Sequence, residues 1–179
     1  MPAVAVTDTN NMFCALEFSE TAAKAGVQPI LGCQIDVDFM PVRQGERPNP
    51  YAAIVLLAQN EVGYRNLLKL NSNLYLRDNG TLPHVTIEEL AEHTEGLICL
   101  SGGPNGPVGR HLADGNRAKA QTLLNHLSQM YPDRLYVELQ RHPGEGEAAR
   151  AQRLTERGHV ELAYEVGLPL VATNDVYFP

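Results

Sequence analysis

The sequence predicts an α/β fold, and two observations carry that prediction. Apolar runs of strand length recur along the 179 residues, and most are continuous rather than alternating, as in strands covered on both faces. Between most of them lie stretches with helical spacing, and repeated strand-helix alternation implies parallel pairing through right-handed crossovers. Periodicity alone leaves open whether the sheet is an open doubly wound one or a barrel.

The first strand is predicted at 3–6 (AVAV), followed by a helix over 13–25 that Gly26 ends. Strands follow at 29–39 (PILGCQIDVDF) and 52–58 (AAIVLLA). The next helix, over 61–76, carries Leu67, Leu68, Leu70 and Leu74 at spacings that build an apolar stripe. Thr86 and Glu89 are spaced as a capping box that opens a third helix. A strand at 96–100 (GLICL), a helix over 116–131 and a strand at 134–139 (RLYVEL) come next. The last pair is a helix over 146–166, stopped by Gly167 and Pro169, and a buried strand at 168–172 (LPLVA). Segments 40–50 and 77–84, rich in Pro, Gly and polar residues, are expected as exposed loops within one domain spanning 1–179.

Composition bounds the function classes. A formal net charge of -7 offers no global basic field for nucleic acid, so any DNA contact would be local. No apolar stretch approaches the ~20 residues that span a bilayer, and MPAVAVTDTNN lacks the pattern of a signal peptide. No membrane association and a cytoplasmic location are therefore expected. Cys14, Cys33 and Cys99 are odd in number, far apart and free of CxxC spacing, which argues against a disulfide framework or a zinc knuckle. Each is expected to be a small buried hydrophobe.

Chemistry-bearing motifs are sparse. The glycine-rich SGGPNGPVG at 101–109 has no GK[ST] ending, and its prolines remove donors that a phosphate cradle would use, so a tight connecting loop is expected. Of six histidines, His142 alone follows a strand closely enough to sit at a sheet end. His84, His93, His111, His126 and His159 are expected to be solvated or capping. Asp8 and Asp175 each end an apolar run, where a carboxylate could be a ligand or could cap a turn. If Asp8, His142 and Asp175 converge, they could hold one weakly bound divalent ion, well short of a multinuclear cluster. There is no GxSxG elbow, and no catalytic residue is assigned.

The stretches PAVAVTDTNNMFCALEFSETAAKAGVQPILGC, LLAQNEVGYRNLLKLNS, TEGLICLSGGPNGPVGRHL, RLYVELQRH and LPLVATNDVYF together resemble the PHP (polymerase and histidinol phosphatase) domain family, in the form that opens bacterial DNA polymerase III alpha subunits. The resemblance runs through essentially the whole chain in order. The error-prone alpha-like polymerase is similar here and is the alternative assignment. The resemblance implies a distorted seven-stranded α/β barrel, TIM-like, with ligands at the carboxyl ends of its strands. The opening strand of members with intact sites carries a His-x-His motif that has no counterpart in this sequence, so the barrel is expected to lack its first strand. The unpaired edges left behind would favour self-association.

Carried over position by position, the family's ligand pattern is eroded. Asp8 keeps the acid of the TDHGN-like motif, but the histidine is Thr9; Gln34 replaces the glutamate of GCE; Ala53 and Gly103 stand where a histidine and a cysteine are expected. His142 matches the histidine of LELQxH. Asp175 keeps the acid of the closing NDxH motif, and its histidine has become Tyr177, which would have to ionise against a reference pKa of about 10 to serve as an anionic ligand. The resemblance thus implies a vestigial metal site with no cofactor of its own, inside a parent that catalyses DNA-directed DNA synthesis with Mg2+ through palm, fingers and thumb absent from these residues. It implies as partners the remainder of the alpha chain, the proofreading exonuclease subunit that the domain docks, the replicase holoenzyme, and DNA through other domains. The competing expectation is a metal-dependent phosphoesterase or 3′–5′ exonuclease.

Overall fold

A computed structural model describes residues 1–39, 51–76, 82–174 and 176. Asp175, Tyr177, the loop predicted at 40–50 and most of that at 77–84 lie outside the described residues. The chain is mixed α/β and divides into two compact units, Met1–Cys99 and Leu100–Pro179.

The first unit contains β1 (Ala3–Val6), α1 (Ala15–Lys24), β2 (Gln28–Asp38), β3 (Ala52–Ala58), α2 (Glu61–Leu76), β4 (Val85–Thr86), α3 (Ile87–Glu92) and β5 (Leu97–Leu100), whose last residue is the first of the second unit. Strand β1 runs parallel to β2, with Ala3 opposite Gln28 and Val6 opposite Leu31. Strand β2 then pairs antiparallel with β3 and parallel with the short β4. The antiparallel β2–β3 pair corrects the expectation of parallel strands throughout. Parallel neighbours need a crossover, usually a helix, and the sequence between these two strands is a Pro- and Gly-rich segment without helical spacing.

That pairing sorts side chains by face. Cys33, Ile35 and Val37 alternate inward on β2 and lie opposite Leu56, Ile54 and Ala52 of β3, all fully buried or nearly so. Helix α2 packs on β2 and β3 and buries Leu67, Leu70 and Leu74. Leu68 belongs off the predicted stripe and is exposed, since it is one residue, or about a quarter turn, away from Leu67. The opposite face of β2 carries Gln34 and Asp36 against Val55 and Ala53. The capping box opens α3 as predicted: the Glu89 backbone N–H donates to Thr86 Oγ1 at 3.3 Å, and the Thr86 N–H donates to Glu89 Oε2 at 2.9 Å.

The second unit contains a 3-10 turn (Gly103–Asn105), α4 (Pro107–Ala113), α5 (Arg117–Met130), β6 (Leu135–Gln140), α6 (Glu147–Val166) and β7 (Leu170–Thr173). The turn and α4 occupy the segment expected as a simple loop. Its prolines are the reason: Pro104 and Pro107 stand at helix starts, where a missing N–H costs nothing and a fixed φ helps. Gly106 fits between them because a Cβ there would lie 2.0 Å from the Ser101 carbonyl oxygen. Leu124, Leu127, Leu135, Val137 and Leu162 form the core of this unit. Strand β7 pairs parallel with β6, Gln140 opposite Thr173. It departs from the predicted burial, with Leu170 and Ala172 exposed, because β6 is its one strand neighbour among the described residues. None of the described helices is long and apolar enough to cross a membrane.

Two histidines contradict the expectation of solvated or capping rings. His84 is buried and stacks on Tyr51 with ring centroids 3.9 Å apart. His159 is 1% exposed on the inner face of α6. Helical periodicity decides this, since His159 shares its face with the buried Gln152, Thr155, Leu162 and Ala163. His93 does cap, its Nδ1 lying 2.9 Å from the Glu89 carbonyl oxygen at the end of α3.

Candidate functional site

In the first unit, the segment after β1 continues along β2 in the same parallel register, Thr9 opposite Gln34, and brings three of the sequence-predicted positions together. Asp8 reaches β2 through its backbone, its carbonyl accepting from the Gln34 N–H at 3.1 Å and from the Cys33 thiol at 3.2 Å. Its carboxylate Oδ2 accepts a hydrogen bond from Cys14 Sγ at 2.8 Å. Thr9 forms a parallel bridge with Gln34, and the Gln34 amide donates to Thr9 Oγ1 at 3.4 Å. Two neutral groups therefore touch each other where the family pattern has a histidine and a glutamate. Ala53 lies directly opposite Asp36 on the same face and contributes a methyl group.

Asp36 was not predicted as a site residue, yet it is the buried carboxylate of this face, 6% exposed. Asn10 holds it with both ends of its amide: Nδ2 donates to Asp36 Oδ2 at 3.1 Å, and Oδ1 accepts the Asp36 backbone N–H at 3.0 Å. Asn10 has φ of 55°, a left-handed conformation that Asn tolerates better than most residues. Its N–H donates to the Gln34 carbonyl at 2.8 Å, and its own carbonyl accepts from Tyr75 Oη at 2.8 Å. The clue in the sequence is the period-two placing of Gln34, Asp36 and Asp38 in an apolar strand.

The electrostatics follow from these contacts. The hydrogen bond to Asp8 raises the Cys14 thiol above its ordinary range, with burial and the Asp8 charge adding to the effect. Burial pushes Cys33 up to about 12. Both thiols are held protonated, which makes them poor metal ligands and poor nucleophiles. Cys14 is only half-buried, a correction to the expectation that all three cysteines are buried hydrophobes; Cys33 and Cys99 are.

In the second unit, His142 follows β6 and is clamped by Gln152 of α6. The Gln152 Oε1 accepts the His142 backbone N–H at 2.8 Å, and Nε2 lies 2.6 Å from His142 Nδ1. A backbone N–H can only donate, so the amide oxygen faces it and the amide nitrogen donates to Nδ1. A neutral imidazole has one lone pair, so Nε2 carries the proton and has none to offer a metal. Ligation through Nε2 would require the amide to flip and the backbone bond to break. The adjacent Arg141 pairs with Glu156 of α6, its Nε 2.9 Å from Oε2, and lowers the Glu156 carboxyl below its usual range.

Gly103 occupies the expected cysteine position with φ of 54°, and a Cβ built on it would stand 3.1 Å from Gln140 Cδ. Behind it lies a second unpredicted acid, Glu138, 3% exposed. The Gly102 N–H donates to Glu138 Oε2 at 3.0 Å, the Gln140 amide donates to Oε1 at 3.3 Å, and the Thr173 hydroxyl donates to the same oxygen. Among the described residues no group of three His, Cys, Asp or Glu side chains is placed to hold a metal ion. In the first unit Thr9 and Gln34 offer only neutral oxygens and Ala53 offers no ligand atom, and in the second unit Gly103 offers none; neither set fits a multinuclear metal centre.

The family model described as PHP domain matches residues 1–142. The chain is 47% identical over 180 residues to DNA polymerase III subunit alpha of Caulobacter vibrioides, covering 99% of this chain and 15% of that protein. It is 40% identical over 186 residues to the protein of that name from Pseudomonas aeruginosa and 36% identical over 179 residues to that from Rickettsia bellii, covering 99% of this chain and 14% of each relative. The chain thus spans about 15% of the length of the relatives it matches.

Proposed function

The chain belongs to the PHP domain family, and from that premise we propose that it is the PHP portion of a DNA polymerase III alpha subunit, serving there as a non-catalytic scaffold. The parent polymerase would carry out DNA-directed DNA synthesis, with Mg2+ held by carboxylates elsewhere in its chain. The PHP portion would support the remainder of that chain and dock the proofreading exonuclease subunit within the replicase. The relatives described above all carry the alpha-subunit name, which favours a replicative parent over the error-prone alternative.

One observation carries the scaffold reading. At the family's ligand positions the first unit places a hydroxyl and an amide that bond to each other, Thr9 and Gln34, where a metal needs anionic or imidazole donors. Asp8 has a thiol proton on its carboxylate, and His142 has its free lone pair turned to Gln152.

The second reading, a metal-dependent phosphoesterase or 3′–5′ exonuclease, draws on the two acids Asp8 and Asp36 beside β2. Metal analysis of the purified chain, combined with hydrolysis of a generic phosphate ester, separates the two. The scaffold reading expects no stoichiometric metal and no turnover that Asp8→Asn or His142→Ala abolishes. Stoichiometric zinc or manganese with turnover lost in both variants would sink it. Co-purification of the full alpha chain with the exonuclease subunit, with and without these residues, tests docking separately.

A further inference from the structure

The glycine-rich segment SGGPNGPVG at 101–109 has no part in the reading above, yet it carries a reactive pair. Asn105 is exposed, while Gly103 and Pro104 before it and Gly106, Pro107, Val108 and Gly109 after it are buried. The residue that follows Asn105 has to be glycine, because a Cβ at position 106 would lie 2.0 Å from the Ser101 carbonyl oxygen. In an Asn-Gly pair no side chain shields the asparagine Cγ from the next backbone nitrogen. Once that nitrogen has lost its proton to solvent it can attack Cγ. The new N–Cγ bond closes a five-membered succinimide ring, the Cγ–Nδ2 bond breaks, and the amide nitrogen leaves as ammonia. Water then opens the ring at either carbonyl and gives aspartate or isoaspartate.

The fold blocks both requirements of that chemistry. The Gly106 N–H donates to the Gly102 carbonyl at 2.8 Å and to the Gly103 carbonyl at 3.2 Å, so the proton that must leave is held inside the turn. Asn105 is the last residue of the 3-10 turn Gly103–Asn105. The ψ of that conformation holds Cβ well out of the plane of the next peptide, and the ring cannot close until the Cα–C bond rotates. We propose that Asn105–Gly106 is a modification site gated by local opening, at which the succinimide forms only in chains whose turn has released the Gly106 N–H. The isoaspartate product does not fit back. It lengthens the backbone by one methylene in a turn so closely packed on α4 that a Cβ on Gly109 would lie 2.3 Å from the Gly103 carbonyl oxygen and 2.7 Å from the Pro104 backbone. The same turn delivers the Gly102 N–H to the buried Glu138 carboxylate, so the modified chain also loosens that anchor. The site needs no partner and is independent of the scaffold reading.

Peptide mapping by mass spectrometry tests this on three samples incubated in mildly alkaline buffer: the folded chain, the chain unfolded in guanidinium chloride, and a capped synthetic peptide spanning residues 101–109. The unfolded chain and the peptide are expected to convert Asn105 at similar rates, and the folded chain about tenfold or more slowly. Native-state hydrogen exchange of the Gly106 amide gives an independent measure. Both reactions wait for the same opening, so the slowing of deamidation should match the protection of that amide to within about threefold. Conversion in the folded chain at the peptide's rate overturns the proposal. Slow conversion beside an unprotected Gly106 amide overturns the gate, and no conversion in the unfolded chain overturns the site itself.

Discussion

Gln152 holds His142 at two points, taking its backbone N–H on Oε1 at 2.8 Å and meeting its Nδ1 with Nε2 at 2.6 Å. The pair fixes both the ring orientation and the tautomer, and the tautomer it selects is the one unsuited to Nε2 ligation.

Gln152→Glu is therefore expected to reverse the ring. A carboxylate can accept from the backbone N–H with one oxygen and from Nδ1–H with the other, leaving the Nε2 lone pair exposed, as in carboxylate–histidine–metal arrangements. Histidine 15N spectra should show Nε2–H in the parent chain and Nδ1–H in the variant. Zinc affinity, measured by competition with a chromophoric chelator, should rise by about tenfold or more. An unchanged tautomer would refute this account of the clamp.

The thiol proton on Asp8 makes a kinetic prediction. Because the Asp8 hydrogen bond is the leading cause of the raised Cys14 pKa, Asp8→Asn should lower it, enlarge the thiolate fraction and speed alkylation by iodoacetamide near neutral pH. Cys33, pushed up to about 12 by burial, should stay unreactive in the folded chain in both forms. Mass spectrometry of the modified peptides reads the two sites separately. Equal Cys14 rates in both forms would contradict the geometry.

Asn10 combines a side-chain clamp with a left-handed backbone, and two substitutions separate them. Asn10→Gly relieves φ but removes both bonds to Asp36; Asn10→Ala removes the bonds and pays about 1 kcal/mol more for the left-handed backbone. Losing the clamp on a buried carboxylate should cost roughly 1–3 kcal/mol. Urea denaturation should rank the parent chain above Asn10→Gly and Asn10→Ala lowest. A neutral Asn10→Gly would show that Asp36 does not depend on the clamp.

Much of this fold is legible in the sequence, and what is hidden has physical reasons. Helices α2, α5 and α6 announce themselves because their buried faces repeat at helical spacing, and the Thr86–Glu89 box is a local signal. Strand direction has no such signature: β2 and β3 have the same apolar runs whether they pair parallel or antiparallel, and only the unhelical connection hints at the answer. Asp36 and Glu138 were hidden by their apolar neighbours, although period-two polar residues, Gln34 with Asp36 and Glu138 with Gln140, mark a polar face on each strand. The contact between His142 and Gln152 depends on where α6 lies against β6, which no spacing encodes.

His159 supplies the last prediction, in which burial competes with protonation. Burial holds its pKa below the ordinary value, against the opposing pull of the Thr155 and Gly103 backbone. In the unfolded chain the ring titrates near about 6.5. Well above that pH the ring is neutral in both states and its titration contributes nothing to stability. As pH falls through the unfolded value, the unfolded chain takes up a proton that the folded chain resists, so the folded state loses stability. The slope from this ring is at most about 1.4 kcal/mol per pH unit, and it flattens once pH drops below the folded value. Urea denaturation at about pH 8 and about pH 5.5 should show the parent chain losing stability, and His159→Phe, which removes the titrating group, losing correspondingly less. An identical loss in both would mean that the acid sensitivity lies elsewhere and that protonating His159 costs the folded chain nothing.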